Sequence, residues 1–375
     1  MLTQVPSGML QTTAQYYGFK NRIINGAMVI DQRNAGASST PAAGSYTLDR
    51  FAYQATQASK FTIQQTPSTT ETGYATRIAS GFTNYLACTV ASAVTVGGGD
   101  YLFLDQRIEG YNIADLNFGT ASAKTITLSF LAYSSLTGTF GGAITNNGSS
   151  RNYPFSYSIP VANTWTQISI TIPGDGVAGA GAWLTNNSNG MQVLWSLGCG
   201  SLYTQSAGAW TGSTAYGATG QVNVVGTSGA TFYITGVQLE VGTQATSFDY
   251  RPYGTELQLC QRYYFRALDS SNQGEGACGS FVTNGAYTST GKIYGSVPLP
   301  VSMRGNPSVT YSGVFANSVS GSSGSFSSVQ SSTGAGNCVY LVMNFNIGTS
   351  GTANQFAWID ASNTAGTYLA FSAEL

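Results

Sequence analysis

The chain has 375 residues, 42% of them hydrophobic and only 8% charged, and its 14 Lys and Arg nearly balance 15 Asp and Glu for a net charge of −1. That balance, with no Lys or Arg between Asn152 and Tyr250, excludes the basic footprint of a nucleic-acid binder, and no apolar run approaches the roughly 20 residues of a membrane-spanning helix. The length suits two domains, and 47 Gly, 23 Tyr and 18 Phe are the vocabulary of strands and tight turns.

Residues 1–20 carry little pattern. Met1-Leu2-Thr3-Gln4-Val5-Pro6 lacks the basic start and apolar core of a secretory leader. Two readings of the segment stay open, a flexible end and an attachment arm that orders against a partner.

Residues 21–255 read as one jelly-roll-like β-sandwich, with short strands and frequent turn signals. Thr125 to Tyr133 alternates with Ile126, Leu128, Phe130 and Ala132 inward, and Trp165 to Ile172 alternates and stops at Pro173-Gly174. Thr83 to Ala91, Met191 to Leu197 and Gln221 to Val225 are further strands. Asp105 to Asp115 has an imperfect helical spacing of Ile108, Tyr111 and Leu116. Gly97 to Asp100 and Asn146 to Ser150 are loops, and Gly198 to Gly220 is an extended loop long enough to suggest function. The closing strand begins with Phe232 and Ile234 on one face. After Gly236 its apolar positions shift to Val237, Leu239 and Val241, so a bulge is expected at Gly236. Arg251-Pro252-Tyr253-Gly254 is a turn. A short helix follows it at the domain junction, with Thr255 as cap, Glu256 at its positive end, Arg262 near its negative end, and Leu257, Cys260 and Tyr264 at helical spacing.

Residues 256–375 hold that helix and a smaller all-β domain. Lys292 to Val297, Ser308 to Phe315, Val339 to Ile347, Phe356 to Ile359 and Tyr368 to Ala373 are its strands, and Val319 to Gly336 reads as a Ser/Gly loop. The terminal strand ties down the chain end. Cys88, Cys199, Cys260, Cys278 and Cys338 are scattered and odd in number, as for buried thiols made in a reducing cytoplasm, with a Cys260–Cys278 pairing left open.

Two sets of motifs bracket residues 21 to 264. The opening set is Asn21-Arg22-Ile23-Ile24-Asn25-Gly26, Asp31-Gln32-Arg33-Asn34-Ala35-Gly36 and Tyr46-Thr47-Leu48-Asp49-Arg50-Phe51. The closing set is Gly236-Val237-Gln238-Leu239-Glu240-Val241-Gly242, Tyr250-Arg251-Pro252, Glu256-Leu257 and Leu259-Cys260-Gln261-Arg262-Tyr263-Tyr264. Together they resemble a module of tail-fibre and fibre-like virion proteins of tailed bacteriophages. The resemblance implies a virion protein made in the host cytoplasm and assembled with itself, usually as a trimer. It also implies contacts to other virion proteins through residues 1–20, with the C-terminal domain distal. Arg33, Asp49, Arg50, Glu240, Asp249, Arg251 and Arg262 are then structural. No heptads run through the chain, so assembly would use β faces rather than a coiled-coil stalk.

The chain has no His, which removes Ser-His and Cys-His nucleophile pairs and His-ligated zinc. No Gly-x-x-x-x-Gly-Lys loop is present, and no cofactor is expected. Asp100, Asp105, Glu109 and Asp115 form the densest carboxylate cluster. They read as solvated charges, against a glycoside-hydrolase pair. Should the first and last strands of the sandwich be neighbours, Asp31, Asp49, Glu240 and Asp249 would approach one another. Ion pairs with Arg33, Arg50 and Arg251 are expected there ahead of a Ca²⁺ site, and no metal is assigned.

Sugar recognition needs aromatic faces beside amide and hydroxyl groups. Trp183 with Asn186, Asn187 and Asn189 has that composition, as do Trp210 and Tyr216 in the long loop and Tyr287, Tyr294 and Trp358 in the second domain. Trp165 and Trp195 lie within strands and are expected in the core. The sequence therefore suggests a non-enzymatic fibre or appendage that binds host-surface glycan. A purely structural head fibre, capsid decoration or tail adaptor is the alternative, with a polysaccharide depolymerase behind it.

Overall fold

A computed structural model describes residues 20–69, 71–177, 183–269, 281–289, 292–312, 315–317, 323–324, 326–332, 338–345, 356–361 and 368–375, without the side chains of 267–296 and 313–367. The expected attachment arm lies outside these residues, apart from Lys20. The chain divides into two compact units: 1–29, 40–45 and 53–252 form one, and 30–39, 46–52 and 253–375 the other.

Residues 45–241 build a β-sandwich from antiparallel sheets. Its strands are β1 (Ser45–Leu48), β2 (Phe51–Ala55), β3 (Phe61–Gln65), β4 (Leu86–Val90), β5 (Tyr101–Glu109), β6 (Ile126–Ser134) and β7 (Gly138–Asn146). They continue with β8 (Asn152–Ile159), β9 (Thr166–Ile172), β10 (Asn189–Cys199), the two-residue β11 (Thr204–Gln205) and β12 (Gly217–Ala218), and β13 (Thr231–Val241). One sheet has the order β3-β4-β13-β6-β9, the other β1-β2-β5-β10-β7-β8. A short helix, α1 (Tyr74–Ala79), precedes β4.

Alternation places the core. Leu128 and Phe130 of β6, Phe232 and Ile234 of β13, Val193 and Trp195 of β10 and Phe140 of β7 are all buried. Phe130 meets Tyr157 edge-on at 5.1 Å and Trp195 at 5.9 Å, joining the inner faces of the two sheets. Trp165 is buried too, in a cluster with Tyr85, Leu131 and Tyr133 on the outer face of the five-stranded sheet.

The bulge expected at Gly236 is present: the β13–β6 register slips between Thr235 and Gln238. Gly236 has φ +62°, and a Cβ there would stand 2.6 Å from the Phe82 ring. The opening motif runs along this strand. Arg22 N–H donates to Leu239 O at 2.9 Å, Val237 N–H donates to Gly26 O at 2.9 Å, and the Asn21 carboxamide donates to Val237 O at 3.0 Å.

Two expectations are corrected. Asp105 to Glu109 belongs to strand β5, and tight helical turns follow only at Gly110–Asn112 and Ala114–Leu116. The strand expected at Gln221 to Val225 is absent; Val224–Gly226 is a helical turn whose Val224 and Val225 are buried.

In the second unit α2 (Tyr253–Gln261) supplies the short helix, burying Glu256, Cys260 and Gln261. The strands are β14 (Tyr264–Asp269), β15 (Phe281–Ser289), β16 (Lys292–Pro298), β17 (Ser308–Ser312) and β18 (Phe315–Asn317). The rest are β19 (Ser323–Gly324), β20 (Phe326–Ser332), β21 (Cys338–Phe345), β22 (Phe356–Ala361) and β23 (Tyr368–Ser372). They form a three-stranded sheet, β14-β23-β17, and a seven-stranded one, β19-β18-β22-β15-β16-β21-β20. Part of the segment read as a Ser/Gly loop is strand β20, paired with β21. The terminal strand β23 is central, flanked by β14 and β17.

The motif carboxylates and arginines divide between the units, which corrects the expected pairing. In the second unit Arg33 pairs with Glu374 at 2.7 Å, and Arg50 pairs with the other oxygen of that carboxylate. Arg33 lies over the Tyr264 ring at 3.7 Å and Arg50 over Tyr263 at 3.6 Å. Asp49 and Asp31 both feel the charge of Arg33; Asp49 accepts from Gln32 N–H at 2.7 Å and Gln32 Nε2 at 2.6 Å, and Asp31 from the main chain of Asn34 and Gly36. Arg262 is tied through its main chain: its carbonyl accepts from Arg304 N–H at 2.8 Å. In the first unit Asp249 accepts from Lys20 N–H at 3.0 Å and Asn21 N–H at 3.2 Å. Glu240 accepts from Thr246 N–H and Gln238 Nε2 at 2.8 Å each, and Arg251 donates to the carbonyls of Asn21 and Ile23. Asp31, Asp249 and Arg251 thus pin main chain; among the described residues no cluster of three or more metal-ligating side chains occurs. Cys88, Cys199 and Cys260 are buried thiols, and the Cys260–Cys278 pairing lies outside the described residues because Cys278 does.

Candidate functional site

Strand β8 is an edge strand, and its free main-chain groups need partners. The long loop between β10 and β13 supplies them. Asn152 N–H donates to Thr211 O at 2.9 Å, Thr211 N–H returns to Asn152 O at 2.8 Å, and Gly208 N–H donates to Pro154 O at 2.9 Å. This pairing carries Trp210, the neighbour of Thr211, onto the side of Tyr153, with ring centres 5.2 Å apart.

Trp183 comes to the same place from the segment ahead of β10. Its ring stands at 90° to that of Trp210, centroids 5.6 Å apart, and Phe118 packs edge-on against both at 4.9 and 5.8 Å. Both indole N–H groups are used by the protein: Trp183 Nε1 donates to Asp175 at 3.0 Å and Trp210 Nε1 to Pro173 O at 2.7 Å. The rings are thus fixed in orientation, yet each stays half-buried. Asp175 is itself clamped by Arg151 through Nε at 2.9 Å and Nη2 at 2.6 Å. Burial pushes the Asp175 carboxyl up, and the bonds from Arg151 and Trp183 outweigh that, holding it below its ordinary value. The site is therefore a right-angled aromatic corner beside a neutralised ion pair.

The other expected sugar contacts are placed differently. Asn187 is exposed in the turn between Trp183 and β10. Tyr216 does not join the tryptophans. It packs with Tyr203 at 5.2 Å, Tyr101 at 5.1 Å and Phe103 at 5.0 Å, over Ala143 and Leu194 on the outer face of the six-stranded sheet. Tyr294 lies in β16 and Trp358 in β22, but their side chains fall outside the described residues. Phe118, Tyr153, Arg151 and Asp175 complete the corner and were missed. Pro173-Gly174, just before Asp175, showed only as a strand stop.

The carboxylates of the densest acidic cluster have separate partners. Asp105 is buried and accepts from Gln192 Nε2 at 2.8 Å, Asp115 pairs with Arg22 at 2.7 Å, and Asp100 accepts from Gly97 N–H at 2.9 Å and Thr56 Oγ1 at 2.9 Å. Asp105 and Glu109 share one face of β5, four residues and hence about 13 Å apart along the strand. That exceeds the roughly 5–9.5 Å spacing of glycosidase carboxyl pairs.

No protein-family model and no curated protein matches the sequence. Among solved structures, the enzymatically active domain of tailspike protein 4 of bacteriophage CBA120 aligns over 60% of this chain and 22% of its own, at 12% identity and a TM-score of 0.30. A putative sugar-binding protein from Bacteroides thetaiotaomicron aligns over 59% of this chain and all of its own, at 12% identity and a TM-score of 0.32. A family 11 carbohydrate-binding module from Clostridium thermocellum, in complex with a mixed-linked tetrasaccharide, aligns over 56% of this chain and 98% of its own, at 10% identity and a TM-score of 0.26.

Proposed function

We propose that the chain is a tail fibre or related virion appendage of a tailed bacteriophage that binds host-surface glycan without changing it covalently. The observation that carries the glycan reading is the Trp183–Trp210 corner, two fixed, half-buried indoles at right angles whose N–H groups are already occupied. A pyranose ring offers an apolar face that stacks on such a surface and hydroxyls that bond to nearby amides. The exposed Asn186 and Asn187 follow Trp183 closely in the chain. The phage assignment, with self-assembly as a trimer and attachment through residues 1–20, rests on the motif resemblance. The lack of His and the dispersed carboxylates favour binding over catalysis.

Calorimetric titration of envelope polysaccharide from a permissive host into the purified chain tests this. Saturable binding, weakened at least about tenfold by Trp183→Ala or Trp210→Ala, is the expected result. No binding, or equal binding by both variants, overturns the glycan assignment and favours a virion building block. Release of sugar-reducing ends overturns the non-enzymatic assignment.

A further inference from the structure

A second concavity lies on the outer face of the five-stranded sheet. It has a volume of about 390 Å³. Its floor is Ser129 and Leu131 of β6, Gln167 of β9 and the Gly236 bulge. These positions alternate with the core-facing Leu128 and Phe130, so the floor presents the non-core side of the sheet.

The walls are aromatic. Phe248 meets Phe82 at 5.0 Å and 87°, and Tyr250 at 4.8 Å and 67°. Tyr250 is 54% exposed, and its hydroxyl donates to Ser80 O at 3.3 Å. The wall segment from Thr246 to Tyr250 is held from behind. Thr246 N–H donates to Glu240 at 2.8 Å, Thr246 Oγ1 to Glu240 at 2.6 Å, and Asp249 N–H to Gln238 Oε1 at 2.8 Å. The bulge makes room for the wall, since any Cβ at Gly236 would collide with Phe82.

The polar groups facing this space are uncharged. Ser80, Ser129, Gln167, Thr246 and Ser247 line it, and no charged side chain does among the described residues; Lys20 reaches two of them from outside the lining, its ammonium donating to Thr246 Oγ1 and Ser247 O at 2.5 Å each. The Gln167 side chain is exposed and has no hydrogen-bond partner among the described residues. An aromatic wall, a free carboxamide, hydroxyls and a pre-formed concavity make a site for a ring with one apolar face and a hydroxylated rim. An acidic sugar or a phosphate would bring a negative charge and find no cation in the lining, with the neighbouring Lys20 ammonium already bonded to Thr246 and Ser247.

We infer that this cavity is a second binding site, separate from the Trp183–Trp210 corner, and that it takes a neutral pyranose saccharide. The inference extends the glycan-binding reading, and its test separates the two sites. Methyl glycosides of glucose, galactose, mannose and N-acetylglucosamine, with glucuronic acid and N-acetylneuraminic acid as acidic probes, are titrated into the full chain. Saturation-transfer NMR and calorimetry report binding. At least one neutral glycoside is expected to bind saturably while the acidic sugars do not. In the Trp210→Ala background, which removes the corner's contribution, binding is expected to persist, and adding Gln167→Ala, at an exposed strand position that leaves the core intact, or Tyr250→Ala is expected to weaken it about tenfold or more. Absence of saturable binding by every neutral glycoside overturns the inference, as does binding insensitive to both Gln167→Ala and Tyr250→Ala. Loss of the binding in Trp210→Ala assigns it to the corner and overturns the second site.

Discussion

The side chain of Asn21 bridges the backbone of Val237, the residue that follows the β13 bulge: its Nδ2 donates to Val237 O at 3.0 Å. The same carboxamide accepts from Leu239 N–H and Ile23 N–H, both at 3.0 Å. One buried amide near the start of the chain therefore satisfies main-chain groups of its last sandwich strand. Asn21→Ala deletes three hydrogen bonds and leaves buried groups unpaired, so a loss of about 2–4 kcal/mol is expected. Urea unfolding of the wild type and variant measures it.

The bulge itself makes a second prediction. Gly236→Ala places a methyl group 2.6 Å from the Phe82 ring and forces φ +62° on an L-residue. The backbone cost is about 1 kcal/mol and overpacking adds roughly 1–3 kcal/mol. The variant should also lose binding in the cavity it borders, read by the same glycoside titration.

In the second unit, Glu374 pairs with both Arg33 and Arg50, one through each carboxylate oxygen. Glu374→Gln is expected to cost roughly 3–5 kcal/mol, because buried guanidinium charge is left without its carboxylate. Deleting residues 368–375 removes the central strand of the three-stranded sheet and should unfold this unit outright. Thermal melts followed by near-ultraviolet circular dichroism distinguish the two.

Asp49 gives a pH dependence. Burial pushes its carboxyl up to about 7, against the opposing pull of Arg33 and the bonds from Gln32, with Asp31 nearby adding to the rise. The folded state thus holds a proton that the unfolded chain releases near 3.8. The contribution is fully present below about 3.8 and is lost as pH rises through about 7; across that window it amounts to roughly 4 kcal/mol. Asp31 is also raised by burial and acts in the same direction. Asp49→Asn should flatten the slope of unfolding free energy between pH 4 and 7, measured by denaturant titration at several pH values.

Much of this architecture was legible in the sequence because side-chain alternation is a local signal. The phase change at Gly236, the run at Ile126 to Ala132 and, as far as Phe345, the run at Val339 to Ile347 each showed their strand directly. Strand β5 did not. Its core position Gln106 is polar, which broke the alternation of Leu102, Leu104 and Ile108 and let a helical spacing stand out. Gln106 is tolerated there because its carboxamide accepts from Ile24 N–H at 2.8 Å and donates to Ile24 O at 2.9 Å. Strand β20 was hidden because its Ser-rich sequence carries little hydrophobic pattern. Trp183 and Trp210 were identifiable by composition, but their meeting depends on a loop docking to an edge strand, which no local spacing encodes. The pairing of Arg33 with Glu374 spans 341 positions and was equally invisible.

The most direct test of the account is attachment to cells. Fluorescently labelled protein is mixed with permissive host cells and with the same cells stripped of surface polysaccharide. Saturable binding is expected, abolished by stripping and weakened at least about tenfold by Trp210→Ala. Binding that survives both stripping and Trp210→Ala, or no binding to any permissive host, would contradict it.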